Sequence, residues 1–303
     1  MDLNREQICV LIPTLNEAPT IGTLVRDFRQ LGYPHIMIMD ANSSDGTRDI
    51  ARKEGAVVHT QTTRGKGNAI IEALSLIPCP YVLMVDGDGT YTVDDADRMI
   101  EPLFQGYQHV IGMRVREESF SRLNRIGNWL INYLFKMAHG RYLSDVLSGY
   151  RAFTLESVRQ MHLKESGFGI ETEMAVQAMK NNQQIMVIPV RYGIRTGTKT
   201  KLNPFQDGFR IVRTIYRLAR VNNPLFYFGL IGVLLFAGGA ITGIYVIYEW
   251  FIHIEHLPLT ILTLLLMTLG FEMIMFGVIG DLMLAFHREI QLELQELRRQ
   301  KQK

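Results

Sequence analysis

Asp86 and Asp88 stand one residue apart where an apolar run, Tyr81-Val82-Leu83-Met84-Val85, gives way to Asp86-Gly87-Asp88-Gly89-Thr90. Residues so spaced at a strand end can both turn toward one ion once the chain leaves the pleat. Two hard oxygen ligands suit Mg²⁺ or Mn²⁺, ions that keep waters and take further oxygens from substrate phosphates. Gly87 and Gly89 let the backbone turn tightly and let a ligand come close. The same pair also fits a solvated turn, so its surroundings decide between the two.

Those surroundings alternate between strand and helix. Ile8–Ile12 is a short apolar run broken by Pro13-Thr14-Leu15-Asn16-Glu17, and a helical pattern through Leu24, Val25 and Phe28 leads to Gly32. Ile36–Met39 ends at Asp40; Ser43, Ser44, Asp45 and Gly46 are turn and cap residues before a helix expected over Thr47–Glu54. Ala56–Val58 is a third run, Arg64-Gly65-Lys66-Gly67-Asn68 precedes another helix, and Tyr81–Val85 is the fourth strand. The alternation predicts an α/β fold with a mostly parallel sheet and flanking helices. Ligands of such sheets bind outside the carboxyl ends of the strands. Pro13–Glu17, Asp40, Gly65–Gly67 and Asp86–Thr90 all fall there, and packing is a poor account of four polar clusters on one rim.

Composition changes near residue 224. Leu225–Tyr248 and Leu259–Phe286 are almost uncharged and apolar, each long enough for a hydrocarbon core of roughly 30 Å. The connector Glu249–Leu257 has no Lys or Arg, whereas Arg210, Arg213, Arg217 and Arg220 precede the first span and Arg288, Arg298, Arg299, Lys301 and Lys303 follow the second. The positive-inside rule then places both flanks, and the domain before them, in the cytoplasm. The polar Met1–Gln7 does not read as a signal peptide. Cys9 and Cys79 fit no metal spacing and read as reduced structural thiols. Glu272 and Asp281 lie within the second apolar stretch. Glu272 is the deeper, and its expected role is packing against another helix or a neighbouring subunit.

Two further segments look interfacial. Phe205, Phe209, Val212, Tyr216 and Ala219 share one helical face beside the four arginines; Leu123, Ile126, Leu130, Tyr133 or Leu134, and Met137 form another stripe. Arg191–Arg220 carries one acid, Asp207. Such a basic run suits nucleic acid, but its position beside a span argues for anionic lipid instead. The expected layout is a catalytic domain over 1–204, with an interfacial helix at about 119–138 inside it. A juxtamembrane helix over 205–222, two spans within 223–287 and a charged tail over 288–303 follow.

The motifs together resemble the family 2 glycosyltransferases with the GT-A fold, and among them the polyprenyl-phosphate glycosyltransferases typified by dolichol-phosphate mannose synthase. Pro13–Glu17 is similar to the family's P-x-x-N-E loop, Asp40–Thr47 to its D-D-x-S-x-D-G-T element, Arg64–Gly67 to its G-K-G loop and Asp86/Asp88 to its metal motif. Gly112-Met113-Arg114 resembles G-S-R, Ser148–Arg151 resembles S-G-[FY]-R, and Arg195 with Thr200-Lys201-Leu202 resembles R-x-G-x-S-K-L. The sequence departs at Asn42, where Gly is common, at Thr90, where several relatives carry Gln, and at Thr200, where Ser is usual.

The resemblance implies an inverting, metal-dependent transfer of a hexose from GDP-mannose, UDP-glucose or UDP-N-acetylglucosamine to a polyprenyl or dolichyl phosphate. It implies that Pro13, Thr14, Leu15, Asn16, Glu17, Asp40, Asp45, Gly65, Lys66, Gly87, Arg195 and Lys201 hold the nucleotide sugar, with Asp40 on the base. It gives the metal to Asp86 and Asp88, with Thr90 a ligand directly, through water, or not at all. Arg114, Arg122, Arg125 and Arg151 are candidates for the acceptor phosphate, because arginine forks match phosphate geometry. Asp145 positions the sugar, acts as a base, or pairs with Arg151; Glu171 and Glu173 favour a helix dipole or contact sugar hydroxyls. A homo-oligomer through the spans is a further expectation. A polysaccharide synthase shares the front half but usually adds Q-x-x-R-W, which Trp129 and Trp250 do not match. Another lipid or a polysaccharide acceptor, or a non-catalytic membrane scaffold on a transferase fold, is the alternative outcome.

Overall fold

The computed structural model describes residues 3–116, 122–195 and 204–301. The chain divides into two compact units, Met1–Lys136 with Arg141–Ile215, and Met137–Gly140 with Tyr216–Lys303.

The first unit begins with strands β1 (Ile8–Thr14), β2 (His35–Asp40), β3 (Val57–Thr60) and β4 (Tyr81–Met84), with helices α1 (Ala18–Gln30), α2 (Thr47–Lys53) and α3 (Lys66–Leu76) between them. After α4 (Ala96–Phe104) come β5 (His109–Arg116), α5 (Arg122–His139), β6 (Arg151–Thr154), α6 (Leu155–Arg159), α7 (Ile170–Lys180) and β7 (Ile185–Tyr192). One seven-stranded sheet has the order β3-β2-β1-β4-β6-β5-β7. Its pairs are parallel except those of β6, which runs antiparallel to both β4 and β5. The expected mostly parallel sheet with flanking helices is what forms.

Strand β1 pairs on both edges, and Ile8 to Ile12 are at most 2% exposed. That explains its unbroken apolar run, since a strand covered on both faces needs no alternation. On α1, Ile21, Leu24, Val25 and Phe28 recur at helical spacing and are buried in the same core. Gly32, at φ +85°, ends that helix in the left-handed conformation glycine adopts without cost.

The reversal of β6 matters for function. Arg151 begins it, in register with Met84 and Ile111. The residues just before it therefore arrive at the rim where β1, β2, β4 and β5 end.

The apolar stripes of two helices differ from expectation. On α5 the buried residues are Ile131, Asn132, Phe135 and Ala138, while Leu130, Tyr133 and Met137 of the expected stripe are exposed together with Trp129. On α8 (Pro204–Asn222), Ala219 of the expected stripe is buried, but so are Ile211, Thr214 and Ile215 outside it, and Phe209 is 70% exposed. Each helix has two apolar faces, and periodicity alone does not say which one packs.

In the second unit, α9 (Pro224–Phe251) and α10 (Leu257–Lys301) form a hairpin. Pro224–Phe251 and Leu257–Phe286 have hydropathies of 2.3 and 2.1, yet only 11% of each apolar window is buried. A core helix of that composition would be mostly covered. Helices apolar on all sides and this bare are compatible with association with a membrane. Glycines let the two approach: a Cβ on Gly232 would lie 2.7 Å from Gly270 O, and one on Gly239 2.7 Å from Met267 Cγ. Thr263 donates to Thr242 at 2.9 Å across the same seam.

Candidate active site

The loops after β1 and β2 are sewn to each other. Asp40 is fully buried; Thr14 Oγ1 donates to its Oδ2 at 2.8 Å, Ser43 Oγ to the same oxygen at 2.6 Å and Ser43 N to Oδ1 at 2.8 Å. Asn16 N donates to Ser43 Oγ, and Ser44 N to Asn16 Oδ1. Asp45 accepts from Ala18 N at the start of α1 and from Thr47 N and Oγ1 at the start of α2. Burial would raise the Asp45 carboxyl, but these bonds outweigh it and hold it below its ordinary range. Both carboxylates expected on the nucleotide thus have each oxygen hydrogen-bonded within the chain, Asp40 in the interior and Asp45 at the surface. Asp40 shapes the loop, each of its oxygens already accepting from Thr14 or Ser43. Asn42 adopts φ +61°, which accounts for glycine being common there.

The G-K-G segment lies on the backbone of 165–167. Gly67 N donates to Ser166 O at 3.0 Å. A Cβ on Gly65 would collide with Ser166 O, and one on Gly67 with Glu165 O. Gly65, at φ +120°, is also strained for any other residue. The tight contact delivers Lys66 between two acids: its Nζ is 2.5 Å from Asp86 Oδ1 and 2.5 Å from Glu171 Oε1. Burial works against that charge, but Asp86 and Glu171 outweigh it and hold the Lys66 pKa above its ordinary value.

Asp86 and Asp88 follow β4, where Gly89 turns at φ +71°. Thr20 Oγ1 fixes the turn by donating to Gly87 O at 2.7 Å. Asp88 Oδ1 accepts from Thr90 N and Oγ1, while its Oδ2 lies 3.5 Å from Arg195 Nη1. Arg195 Nη2 also meets Glu17 Oε1 at 2.5 Å. Thr90 is 3% exposed and orients Asp88. Gly149 has no room for a side chain because Asp86 Oδ1 and Oδ2 occupy the space a Cβ would take. Among the described residues no group of three or more His, Cys, Asp or Glu stands ready to hold an ion. Two carboxylates on one turn, with other oxygens left to phosphates and water, are nonetheless a donor set that fits Mg²⁺ or Mn²⁺.

Arg114 and Asp145 form a fork: Nε to Oδ2 and Nη2 to Oδ1, both at 2.7 Å, with Arg114 N also 3.2 Å from Oδ2. The guanidinium carbon sits 5.3 Å from the Tyr192 ring centroid. Burial opposes the charge of Arg114, but Asp145 outweighs it and raises the pKa well above the ordinary arginine value. Tyr91, buried, donates or accepts at Ser148 Oγ at 3.3 Å and accepts from Gly149 N at 3.1 Å. It thereby ties the segment before β6 to the turn after Asp88.

Arg151, expected on the acceptor phosphate, turns inward. It is fully buried, donating from Nε to Ser148 O, from Nη2 to Val146 O and from Nη1 to His109 Nε2. Burial lowers its pKa to about 10, and burial together with the Arg151 charge holds His109 well below its ordinary value. A guanidinium so enclosed cannot reach an acceptor phosphate, and it does not pair with Asp145. Arg125 is exposed near the start of α5; the side chain of Arg122 and the whole of Lys201 lie outside the described residues. Glu173 Oε2 accepts from Lys164 N and Glu165 N and so pins the loop before α7 to that helix. The sequence did not reveal Glu171 as the partner of Lys66, nor the roles of Tyr91 and Tyr192. A lysine in a glycine loop with acids elsewhere carries no spacing signal for its partner.

The profile of the family described as Glycosyl transferase family 2 matches residues 9–161. The chain is 45% identical over 298 residues to glycosyltransferase AglJ of Haloferax volcanii, covering 96% of this chain and 98% of that one. It is 30% identical over 217 residues to a dolichyl-phosphate hexose transferase of the same organism, covering 70% and 94%. Among solved structures it resembles glucosyl-3-phosphoglycerate synthase from Mycobacterium tuberculosis, in a complex with Mn²⁺, UDP-glucose and glycerol 3-phosphate. The TM-score is 0.59 at 20% identity, covering 70% of this chain and 80% of the other. Mannosyl-3-phosphoglycerate synthase from Rubrobacter xylanophilus gives 0.57 at 22%, covering 71% and 72%. At these identities the structures speak for the fold alone.

Proposed function

The chain belongs to glycosyl transferase family 2, and on that premise we propose that it is a membrane-bound, inverting hexosyltransferase. It moves a hexose from a nucleotide sugar to a polyprenyl or dolichyl phosphate and releases the nucleoside diphosphate. The observation that carries this reading is the meeting, at one rim, of the acids Asp86 and Asp88 with the cations Lys66 and Arg195 and the Arg114–Asp145 fork. A chain with that rim and two bare apolar helices suits a phosphate acceptor carried on a lipid. The relative named as a dolichyl-phosphate hexose transferase supports the same acceptor class.

In the transfer, the bond from the anomeric carbon to the diphosphate breaks and its electron pair leaves with the diphosphate. A bond from an oxygen of the lipid phosphate to the same carbon forms on the opposite face. Mg²⁺ or Mn²⁺ held by Asp86 and Asp88 would supply Lewis-acid charge to the leaving diphosphate. Lys66 and Arg195 add positive charge beside those two acids. The loops at Pro13–Glu17 and Asp40–Thr47 form the nucleoside-holding part of the rim, and Lys201 is a further candidate for the donor phosphates. Arg114, oriented by Asp145, presents its guanidinium to the acceptor phosphate, with Arg122 and Arg125 as further candidates. That phosphate is already anionic at neutral pH, so Asp145 serves as an orienting group and no base is required. Helices α9 and α10 cross the bilayer, and their basic flanks keep both ends and the catalytic unit in the cytoplasm.

The test is transfer from labelled GDP-mannose, UDP-glucose and UDP-N-acetylglucosamine to polyprenyl phosphate in detergent, with Mn²⁺, Mg²⁺ or chelator. A chelator-sensitive monosaccharide lipid from one donor is the expected result. A folded protein that yields no lipid product from any donor would overturn the proposal.

A further inference from the structure

Strands β5 and β7 run parallel, with Arg114 opposite Val190. Tyr192, two residues beyond Val190, therefore lies on the same face of the sheet as Arg114 and diagonal to it. The Arg114 guanidinium carbon stands over the Tyr192 ring, 5.3 Å from its centroid. Asp145 holds one edge of that guanidinium, with Nε and Nη2 each donating to one carboxylate oxygen at 2.7 Å. An arginine carries five N–H donors in one plane. Asp145 engages two of them, and Nη1 has no hydrogen-bond partner among the described residues. The edge between Nη1 and Nη2 is the one left for two oxygens of a phosphate. A fork held along one edge can still swing out of plane about it. The Tyr192 ring closes that freedom on one side, with the electron-rich face that attracts a cation.

The ring is anchored in turn to the loop of the two acids. Tyr91 and Tyr192 form an antiparallel bridge, and Gly193 N donates to Thr90 O at 2.8 Å. The two tyrosine rings meet edge to face, with centroids 5.0 Å apart. Thr90 bonds Asp88 through both its amide and its hydroxyl. Tyr192 thus joins the turn after β4 to the guanidinium on β5, two strands that are not neighbours in the sheet. Given the reading of Arg114 as the ligand of the acceptor phosphate, we propose that Tyr192 is a positioning residue for that acceptor. Its ring sets the plane of the Arg114 guanidinium, and its backbone ties that plane to the turn of Asp86 and Asp88. The open edge of Arg114 is thereby aimed at one place relative to the donor diphosphate, and the lipid phosphate docks there. A residue that only filled space at the end of β7 would act through its shape. Tyr192 acts through the charge distribution of its ring.

The experiment is steady-state transfer to polyprenyl phosphate by the full chain in detergent, with donor and acceptor varied separately and thermal unfolding followed on the same samples. Tyr192→Leu is expected to raise the acceptor KM about tenfold, with the donor KM and the melting temperature near those of wild type. Tyr192→Phe keeps the ring and brings the acceptor KM back to within about threefold of wild type. Phenylalanine bearing successive ring fluorines at position 192 withdraws charge from the ring face at nearly constant shape. Along that series the acceptor KM should climb step by step while stability holds, and the series decides the matter even if Tyr192→Leu does not fold. An acceptor KM that stays flat along the fluorine series, or that Tyr192→Phe raises as much as Tyr192→Leu, would overturn the positioning role and leave the proposed reaction standing. A folded wild type that yields no lipid product from any donor would overturn the proposed function and this inference with it.

Discussion

Lys66 Nζ stands 2.5 Å from Asp86 Oδ1 and is held on its other side by Glu171. The first acid is half of the proposed metal pair; the second is 3% exposed at the start of α7. A lysine in this position does two things. It neutralises two acids, and in the proposed reaction it would keep a cation where the diphosphate gathers charge.

Replacing Lys66 by Met separates those roles. Transfer is expected to fall about 10²- to 10³-fold, the usual effect of removing one charge-stabilising group. Glu171→Gln leaves the lysine in place with one acid fewer and is expected to cost less, about tenfold. Steady-state transfer measured beside thermal unfolding checks both. Equal activity in Lys66→Met and wild type would remove lysine from the chemistry.

Gly149→Ala tests the space around Asp86. The new methyl group falls on the carboxylate oxygens, so Asp86 must rotate away from the turn. The expected result is a Mn²⁺ affinity at least tenfold weaker, read by electron paramagnetic resonance, in a protein that still unfolds cooperatively. The backbone at 149 has no positive φ, so alanine itself is not strained there. Unchanged Mn²⁺ binding would take Asp86 out of the metal site.

Much of this was legible in the residues. The apolar runs of β1, β2 and β4, each followed by polar residues, mark strands feeding one rim, and the positions of Asp86, Asp88 and Lys66 follow from that order. What was not legible depended on orientation. The reversal of β6 has no signature in a four-residue strand, yet it decides that Asp145 meets Arg114 and that Arg151 turns inward. Asp40 and Asp45 look like ligands in sequence, because capping and ligand binding call on the same residue types. On α5 and α8 two apolar faces compete, and the tertiary partner chooses between them.

Acid should loosen the loop before Lys66. Glu72 on α3 accepts from Thr62 N at 2.8 Å and from Thr63 N at 3.1 Å, with both hydroxyls added. The bond from the Thr62 backbone, followed by those from the threonine side chains and Thr63 N, lowers its pKa from 4.5 to about 2. A carboxyl whose folded pKa is depressed contributes order that is complete above its unfolded pKa and is lost as pH falls through the folded one. Amide exchange at Thr62 and Thr63 is thus expected to lose protection between about pH 4.5 and pH 2, and Glu72→Gln to remove that dependence. Protection that is flat across this window in wild type would contradict the assignment.

Arg151→Met discriminates between a phosphate ligand and a buried brace. The substitution leaves Ser148 O and Val146 O without their donors and His109 Nε2 without its neighbour. Buried acceptors stripped of partners cost about 1–3 kcal/mol each, so an unfolding free energy lower by about 3 kcal/mol is expected. The loss should appear as reduced stability and reduced yield, with the KM for polyprenyl phosphate unchanged in the protein that remains folded. Arg114→Lys should behave in the opposite way. Lysine cannot form the two-pronged contact with Asp145, so the acceptor KM rises while the melting temperature moves little. If Arg151→Met raised the acceptor KM at wild-type stability, the phosphate would belong to Arg151 after all, and the inward orientation seen here would have to give way when the lipid binds.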